Sequence, residues 1–300
     1  MIRPAGARVI ALGTFDGVHR GHRTLIRAAG RIAREIGAPL RVYTFDRHPL
    51  EILRPENPPE LLSTIPEKAQ EMCRLGVDEM ELIHFDRETA AMEPEAFLER
   101  LRNTVDVRAI VAGWNYSFGR KGRGDADLLT EDGKTHGYNV LIVPPATMTD
   151  GTVISSSLVR QKLREGLISE AEDLLGHPYT LTGTVGSGKR KGHSLGFPTA
   201  NVETWKRKAL PRYGVYTCLL ETGYEMLPSV VNIGIQPTMP SGKVTVEAHI
   251  LSGNPDLYGK KVRLTLLTML REEIRFQSPE ELKAQIGKDR LEAMKLFNMA

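Results

Sequence analysis

Three groups of residues in this 300-residue chain have the types and spacing of a reaction site. The first is His19-Arg20-Gly21-His22, where an apolar strand pattern gives way to a helical one. Two imidazoles three apart at a helix mouth can face a single anion, which the N–H groups of the first turn also attract. Gly13, Gly17 and Gly21 recur at intervals of four through this stretch, with Asp16 among them. The second group is Ser155-Ser156-Ser157 with Arg160, more hydroxyls than one helix cap requires and a guanidinium close by. The third is the run from Gly183 to Asn201. Its glycines, including Gly183 and Gly188, with Lys189 and Arg190 can form a nest over phosphates. Thr199 and Asn201 alternate on one side of an extended segment and offer two oxygens to a hard cation. All three groups point to phosphate chemistry. Gly183 to Lys189 imitates a P-loop, but Arg190 replaces the required hydroxyl residue and no amphipathic helix follows. No Ser-His-Asp or Cys-His set stands out as a nucleophile.

The elements around these residues differ between the two halves. Val9–Leu12 reads as a buried strand, and Leu25, Ile26, Ala29, Ile32, Ala33 and Ile36 follow at helical spacing. Further strands are expected at 40–45, 78–83, 108–113 and 139–143. Helices are expected from Thr64 to Gly76, with Glu67 completing a capping box, and from Met92 to Leu101. Residues 50–64 read as a proline-rich loop. Strand–helix alternation predicts a doubly wound α/β domain, with ligands at the carboxyl ends of its strands. The basic, glycine-rich run Arg120–Gly124 follows one such end. Ser169–Glu172 reads as a capping box opening another helix, and a domain boundary is expected near residue 178. Beyond it, short strands at 179–185, 215–220, 229–233, 244–251 and 262–269 predict a small antiparallel barrel. A final helix opens at Ser278-Pro279-Glu280-Glu281 and carries Leu282, Ile286, Leu291, Met294 and Leu296.

Composition sets the outer limits. The chain is 41% hydrophobic, with a net charge of +3, too balanced to imply a nucleic-acid partner. Two cysteines, Cys73 and Cys218, lack metal-ligand spacing and fit a reducing compartment. With no apolar run long enough for a bilayer and no signal-peptide layout, the expectation is a cytoplasmic protein without membrane contact.

The stretch GTFDGVHRGH resembles the flavin adenylyltransferase branch of the HxGH nucleotidyltransferases, and ISSSLVR resembles their ISSTxxR motif. Over residues 183–201, with Pro211–Tyr216, Asn232–Gly234 and Glu247–His249, the chain resembles riboflavin kinases, whose hallmark is GFPTAN. Together the halves resemble the bifunctional bacterial riboflavin kinase/FAD synthetase family. The resemblance implies an α/β adenylyltransferase domain at 1–178 and a β-barrel kinase domain with a C-terminal helix at 179–300. It implies riboflavin, FMN and ATP as small-molecule substrates, FAD as product, and Mg²⁺. It places His19, His22 and Arg160 in adenylyl transfer, with Gly13, Phe15, Asp16, Gly17, Ser155 and Ser156 on the nucleotide. Gly183, Gly188 and Lys189 fall on the kinase phosphates, Thr199 and Asn201 on the metal, and Glu247 becomes the kinase base. Flavin contacts fall to His48, Asn115 and Arg271. HRGH also resembles the HIGH motif of class I tRNA synthetases, but no KMSKS-like loop accompanies it.

Overall fold

The computed structural model describes residues 5–186, 199–223, 225–235, 244–253 and 255–299. They form two compact units, Met1–Ser156 and Ser157–Ala300.

The first unit is built on a five-stranded parallel sheet. Its strands are β1 (Ala5–Leu12), β2 (Leu40–Phe45), β3 (Glu79–Ile83), β4 (Val105–Gly113) and β5 (Asn139–Val143), in spatial order β3-β2-β1-β4-β5. The apolar run at the start of β1 makes it a central strand: Val9, Ile10, Ala11 and Leu12 are at most 1% exposed. A strand covered on both faces needs such an uninterrupted run. Helix α1 (Arg20–Ile36) packs Leu25, Ile26, Ala29 and Ala33 on one face, against Val9, Ala11, Val42 and Val111. The opposite face is covered by Leu98 and Leu101 of α5 (Pro94–Thr104) and Leu129 of α6 (Ala126–His136). Each such side chain contributes about 1.5–3 kcal/mol by leaving water. Because β2 and β4 flank β1 on opposite sides, the chain changes direction at the carboxyl end of β1. That switch point is where an open α/β sheet leaves a crevice.

Several expectations are corrected here. The proline-rich stretch after β2 contains a short helix, α2 (Leu50–Leu53). It forms because His48 accepts from the Leu50 N–H through Nδ1 while Glu51 accepts from the His48 N–H. The helix expected at Met92–Leu101 is α5, which starts at Pro94 after an extended Glu93, and a short helix that was not expected, α4 (Arg87–Ala91), capped by Asp86, precedes it. The Thr64 capping box forms with Glu67 as expected, but its helix, α3 (Ile65–Arg74), stops before Gly76, which adopts φ 75°.

In the second unit six antiparallel strands close a barrel. They are β6 (Thr180–Gly186), β7 (Thr199–Thr204), β8 (Gly214–Glu221), β9 (Met226–Ile235), β10 (Val244–Ile250) and β11 (Lys261–Glu272), in order β10-β7-β6-β11-β8-β9. Alternate residues fill the interior: Leu181 and Val185, Val202, Tyr216, Cys218 and Leu220, Val231 and Ile233, Val246 and Ala248, Val262, Leu264 and Leu266 are all at most 4% exposed. The intervening positions face outward, as the period of two requires. Strand β7 adds to the expected set.

Helices α7 (Ser156–Glu165) and α8 (Ile168–Leu175) precede the barrel. Ser169 does not cap α8, which begins at Ile168 after Leu167; Glu172 instead accepts from the Tyr179 N–H at 3.1 Å, fixing the entry to β6. The C-terminal helix Pro279–Leu296 is capped by Ser278, whose hydroxyl accepts from the Glu281 N–H. It docks through Ala293 onto Val215, Val230 and Leu251. Leu291 and Leu296, expected on its packed face, are 58% and 56% exposed, while Asp289 is buried. Asp289 takes that face because Arg271 of β11 reaches it with a two-point ion pair.

Candidate active sites

In the first unit, β1 ends at Gly13, whose N–H donates to the Tyr43 carbonyl of β2. The backbone then turns through left-handed conformations at Phe15 (φ 50°), Gly17 (φ 77°) and Val18 (φ 43°). Positive φ at Phe and at a β-branched Val stores strain of order 1–3 kcal/mol per residue, and such strain clusters at ligand-binding loops. Burial holds the turn in place. Phe15 and Val18 are fully buried, and the Asp16 carboxylate accepts from the N–H groups of Leu62 and Ser63 at 3.0–3.2 Å. Ser63 returns a contact by accepting from the Gly17 N–H at 3.0 Å. Asp16 and Phe15, expected on the nucleotide, also frame the loop.

His19 caps α1, its Nδ1 accepting from the His22 N–H at 3.4 Å. The two imidazoles stack, centroids 3.6 Å apart, and the Phe15 ring meets His22 edge-on at 5.2 Å. Gly21 permits a close approach: a Cβ there would stand 3.1 Å from the His19 ring, so the ring would have to shift by a few tenths of an ångström. Burial, then His19, then the Lys68 ammonium hold the His22 imidazole well below the ordinary histidine range. His22 is therefore neutral at physiological pH, and its Nδ1 is buried with no hydrogen bond among the described residues. A neutral His22 stacked on His19 over a helix N-terminus can donate to an anion without a proton having to leave.

The serine motif reaches the same loop. The Ser156 hydroxyl donates to the Asp16 carbonyl at 2.9 Å. Ser155 precedes α7, and Arg160 lies one turn along it from Ser156, half-buried. Two expected flavin contacts lie at carboxyl ends of strands. His48 follows β2, and Asn115 is exposed just after β4. The basic loop that follows is tied down locally, Arg120 and Arg123 each reaching Glu93 at 3.2 Å.

In the barrel, the register brings the kinase candidates together. Asn201 of β7 pairs with Glu247 of β10, and Thr199 pairs with His249. Opposed residues on one face of an antiparallel pair lie about 5 Å apart. The neighbours Ala248 and Val246 point into the barrel, so Thr199, Asn201, Glu247 and His249 share the outer face. Their donor set is a hydroxyl, an amide oxygen and a carboxylate, the hard oxygen ligands that suit Mg²⁺. The same row continues to Asn232 of β9, opposite Glu247; the sequence marks Asn232 only as part of the family resemblance, and the register of three strands brings it into the row.

Other candidates have structural settings. Gly183 lies within β6, paired with Thr204 and Val262, where a Cβ would stand 2.6 Å from the Glu203 carbonyl. Arg271 gives its guanidinium to Asp289, at 2.7–3.1 Å, and to the Glu272 carbonyl. Gly188 and Lys189 lie outside the described residues. Among the described residues no three His, Cys, Asp or Glu side chains form a metal-holding group, and no helix is long and apolar enough to cross a membrane.

Known proteins also match the chain in two parts. A FAD synthetase family model matches residues 3–158, and a riboflavin kinase model matches 175–297. A bifunctional riboflavin kinase/FMN adenylyltransferase of Escherichia coli is 37% identical, covering 99% of this chain and 95% of that protein. The Bacillus subtilis protein of the same name is 33% identical, with 97% and 92% covered. A solved structure from Streptococcus pneumoniae, named as a macrolide-efflux protein, superposes with a TM-score of 0.84 at 31% identity, over 96% of this chain and 93% of that one. That name describes another chemistry, but both family models and the curated relatives agree. The chain belongs to the bifunctional riboflavin kinase/FMN adenylyltransferase family.

Proposed function

We infer that the chain makes FAD in two ATP-dependent steps: riboflavin and ATP give FMN and ADP, then FMN and ATP give FAD and pyrophosphate. The observation that carries this reading is the match of a different flavin-enzyme model to each half, each over a group of phosphate-handling residues.

In the first unit a phosphate oxygen of FMN attacks the α-phosphorus of ATP, and pyrophosphate leaves. The protein's part is positioning and neutralisation of charge that grows in the transition state. We assign His19, His22, the N–H groups of the first turn of α1, Ser155 and Arg160 to the triphosphate. Gly13, Phe15, Asp16, Gly17 and Ser156 shape the loop beneath it. His48 and Asn115, at neighbouring strand ends, fit the flavin. We keep the functional boundary near 178, so that Arg160 serves the adenylyl site.

In the barrel, Glu247 takes the proton of the riboflavin 5′-hydroxyl as that oxygen attacks the γ-phosphorus. Thr199 and Asn201 would hold Mg²⁺, which when bound neutralises phosphate charge. Gly183, Gly188 and Lys189 belong to the phosphate-binding run, and Arg271 fits a supporting role at the flavin end. A cytoplasmic setting suits reduced cysteines and ATP.

Labelled nucleotides test the assignment. FMN with α-labelled ATP should carry label into FAD, and riboflavin with γ-labelled ATP should carry it into FMN. Label from γ-labelled ATP entering FAD when unlabelled FMN is supplied, or label from α-labelled ATP entering FMN, would contradict the two-site reading.

A further inference from the structure

Helix α3 carries a charged side chain that the chemistry above does not use. Lys68 is 5% exposed, although a lysine on a surface helix ordinarily sends its ammonium to water. Here the ammonium donates to the Thr14 carbonyl at 2.8 Å and to the Thr44 hydroxyl at 3.2 Å. Thr44, itself fully buried, donates its hydroxyl to the same carbonyl at 2.9 Å. A buried cation is costly unless compensated, and its counter-charge is Asp16, already held by the Leu62 and Ser63 N–H groups. Thr14 immediately precedes Phe15, where the chain enters its left-handed turn and sets the ring that meets His22 edge-on. A second pair anchors α3 to α1 at the same end: Arg23, next to His22, reaches Glu71 at 2.9 Å.

We propose that Lys68 is a positioning residue for adenylyl transfer, fixing the Thr14 carbonyl and hence the Phe15–His22 packing while placing a positive charge behind the anion site. The proposal rests on reading the first unit as the adenylyl-transfer site. Facing the His22 imidazole are His19, stacked on it, and Lys68, with Asp16 beyond Lys68. The ammonium is one of the influences that keep His22 neutral.

The test is Lys68→Met in the full chain, which keeps the apolar stem and removes the charge and both donated bonds. Three quantities are read: kcat and KM for FMN adenylylation, kcat for riboflavin phosphorylation, and the His22 imidazole titration by NMR. The kcat for adenylylation should fall on the order of 10- to 100-fold, the cost of misplacing a reacting group, with little change in KM. Phosphorylation should be unchanged, and His22 should titrate at higher pH. An unchanged adenylylation kcat in the folded variant, or an unmoved His22 titration, would overturn the proposal. Should Lys68→Met fail to fold, Thr44→Val takes its place, with a smaller kcat loss expected and no loss overturning it. If the parent chain adenylylates no FMN, the functional reading fails, and the imidazole titration still decides whether Lys68 acts on His22.

Discussion

The hydroxyl of Ser156 donates to the backbone carbonyl of Asp16 across 140 residues of sequence, at 2.9 Å. That one bond joins the start of α7 to the loop ahead of α1, so the serine motif and the histidine motif report on the same turn. Ser156→Ala should lower FAD formation from FMN roughly tenfold, as expected for loosening a positioned loop, and leave FMN formation from riboflavin intact. The two rates are measured on one preparation, which controls for folding.

His22 ties stability to pH. Its imidazole is held neutral in the fold, chiefly by burial, whereas the unfolded chain protonates near pH 6.5. The unfolded state therefore binds more protons below that pH. The stability His22 contributes is complete above about pH 6.5 and declines as pH falls below it, with a slope of at most about 1.4 kcal/mol per pH unit. Denaturant titrations of the first unit from pH 7 to 5 should show this slope, and His22→Asn should flatten it. The same substitution should abolish FAD formation and spare FMN formation.

The Asn201–Glu247 pairing leads to the reciprocal result. Glu247→Gln keeps the side-chain shape and removes the base, so riboflavin phosphorylation should fall by about 10²- to 10⁴-fold while supplied FMN is still converted to FAD. Asn201→Ala should instead raise the Mg²⁺ concentration needed for half-maximal kinase rate. A shift in Mg²⁺ demand for adenylylation only would count against the assignment.

Arg271 and Asp289 clamp the C-terminal helix to β11 at 2.7–3.1 Å, with Asp289 also accepting from Gln285 at 2.8 Å. Asp289→Ala leaves the guanidinium in a largely buried setting without its partner, and should destabilise the barrel by about 2–4 kcal/mol. Thermal unfolding followed at Trp205 would read this. Retention of kinase activity below the lowered Tm would mark the pair as structural.

How far these features were legible depends on the range of the interaction that makes them. Strand β1, the turn at Gly13 and helix α1 follow from local pattern, as do the caps at Thr64 and Ser278, because a cap is satisfied within three residues. Ser169–Glu172 has the same local signature and no cap, since Glu172 finds the Tyr179 N–H instead. The motif of Asp16 points to nucleotide; that its carboxylate also holds backbone near residue 62 is a partnership no spacing rule names. Lys68 was invisible for the same reason: a lysine in an ordinary helical pattern gives no sign that its ammonium is buried under a distant loop. The pairing of Glu247 with Asn201 and Asn232 needed strand register, which follows from the closed barrel rather than from any one strand.

The central claim is that one chain runs two successive reactions at separate sites. The most direct measurement is a time course of flavins, separated by chromatography, after mixing the purified protein with riboflavin, ATP and Mg²⁺. FMN should rise first, then decline as FAD accumulates, and supplied FMN should yield FAD without a lag. FAD absent from both reactions, or FMN never formed from riboflavin, would contradict the account.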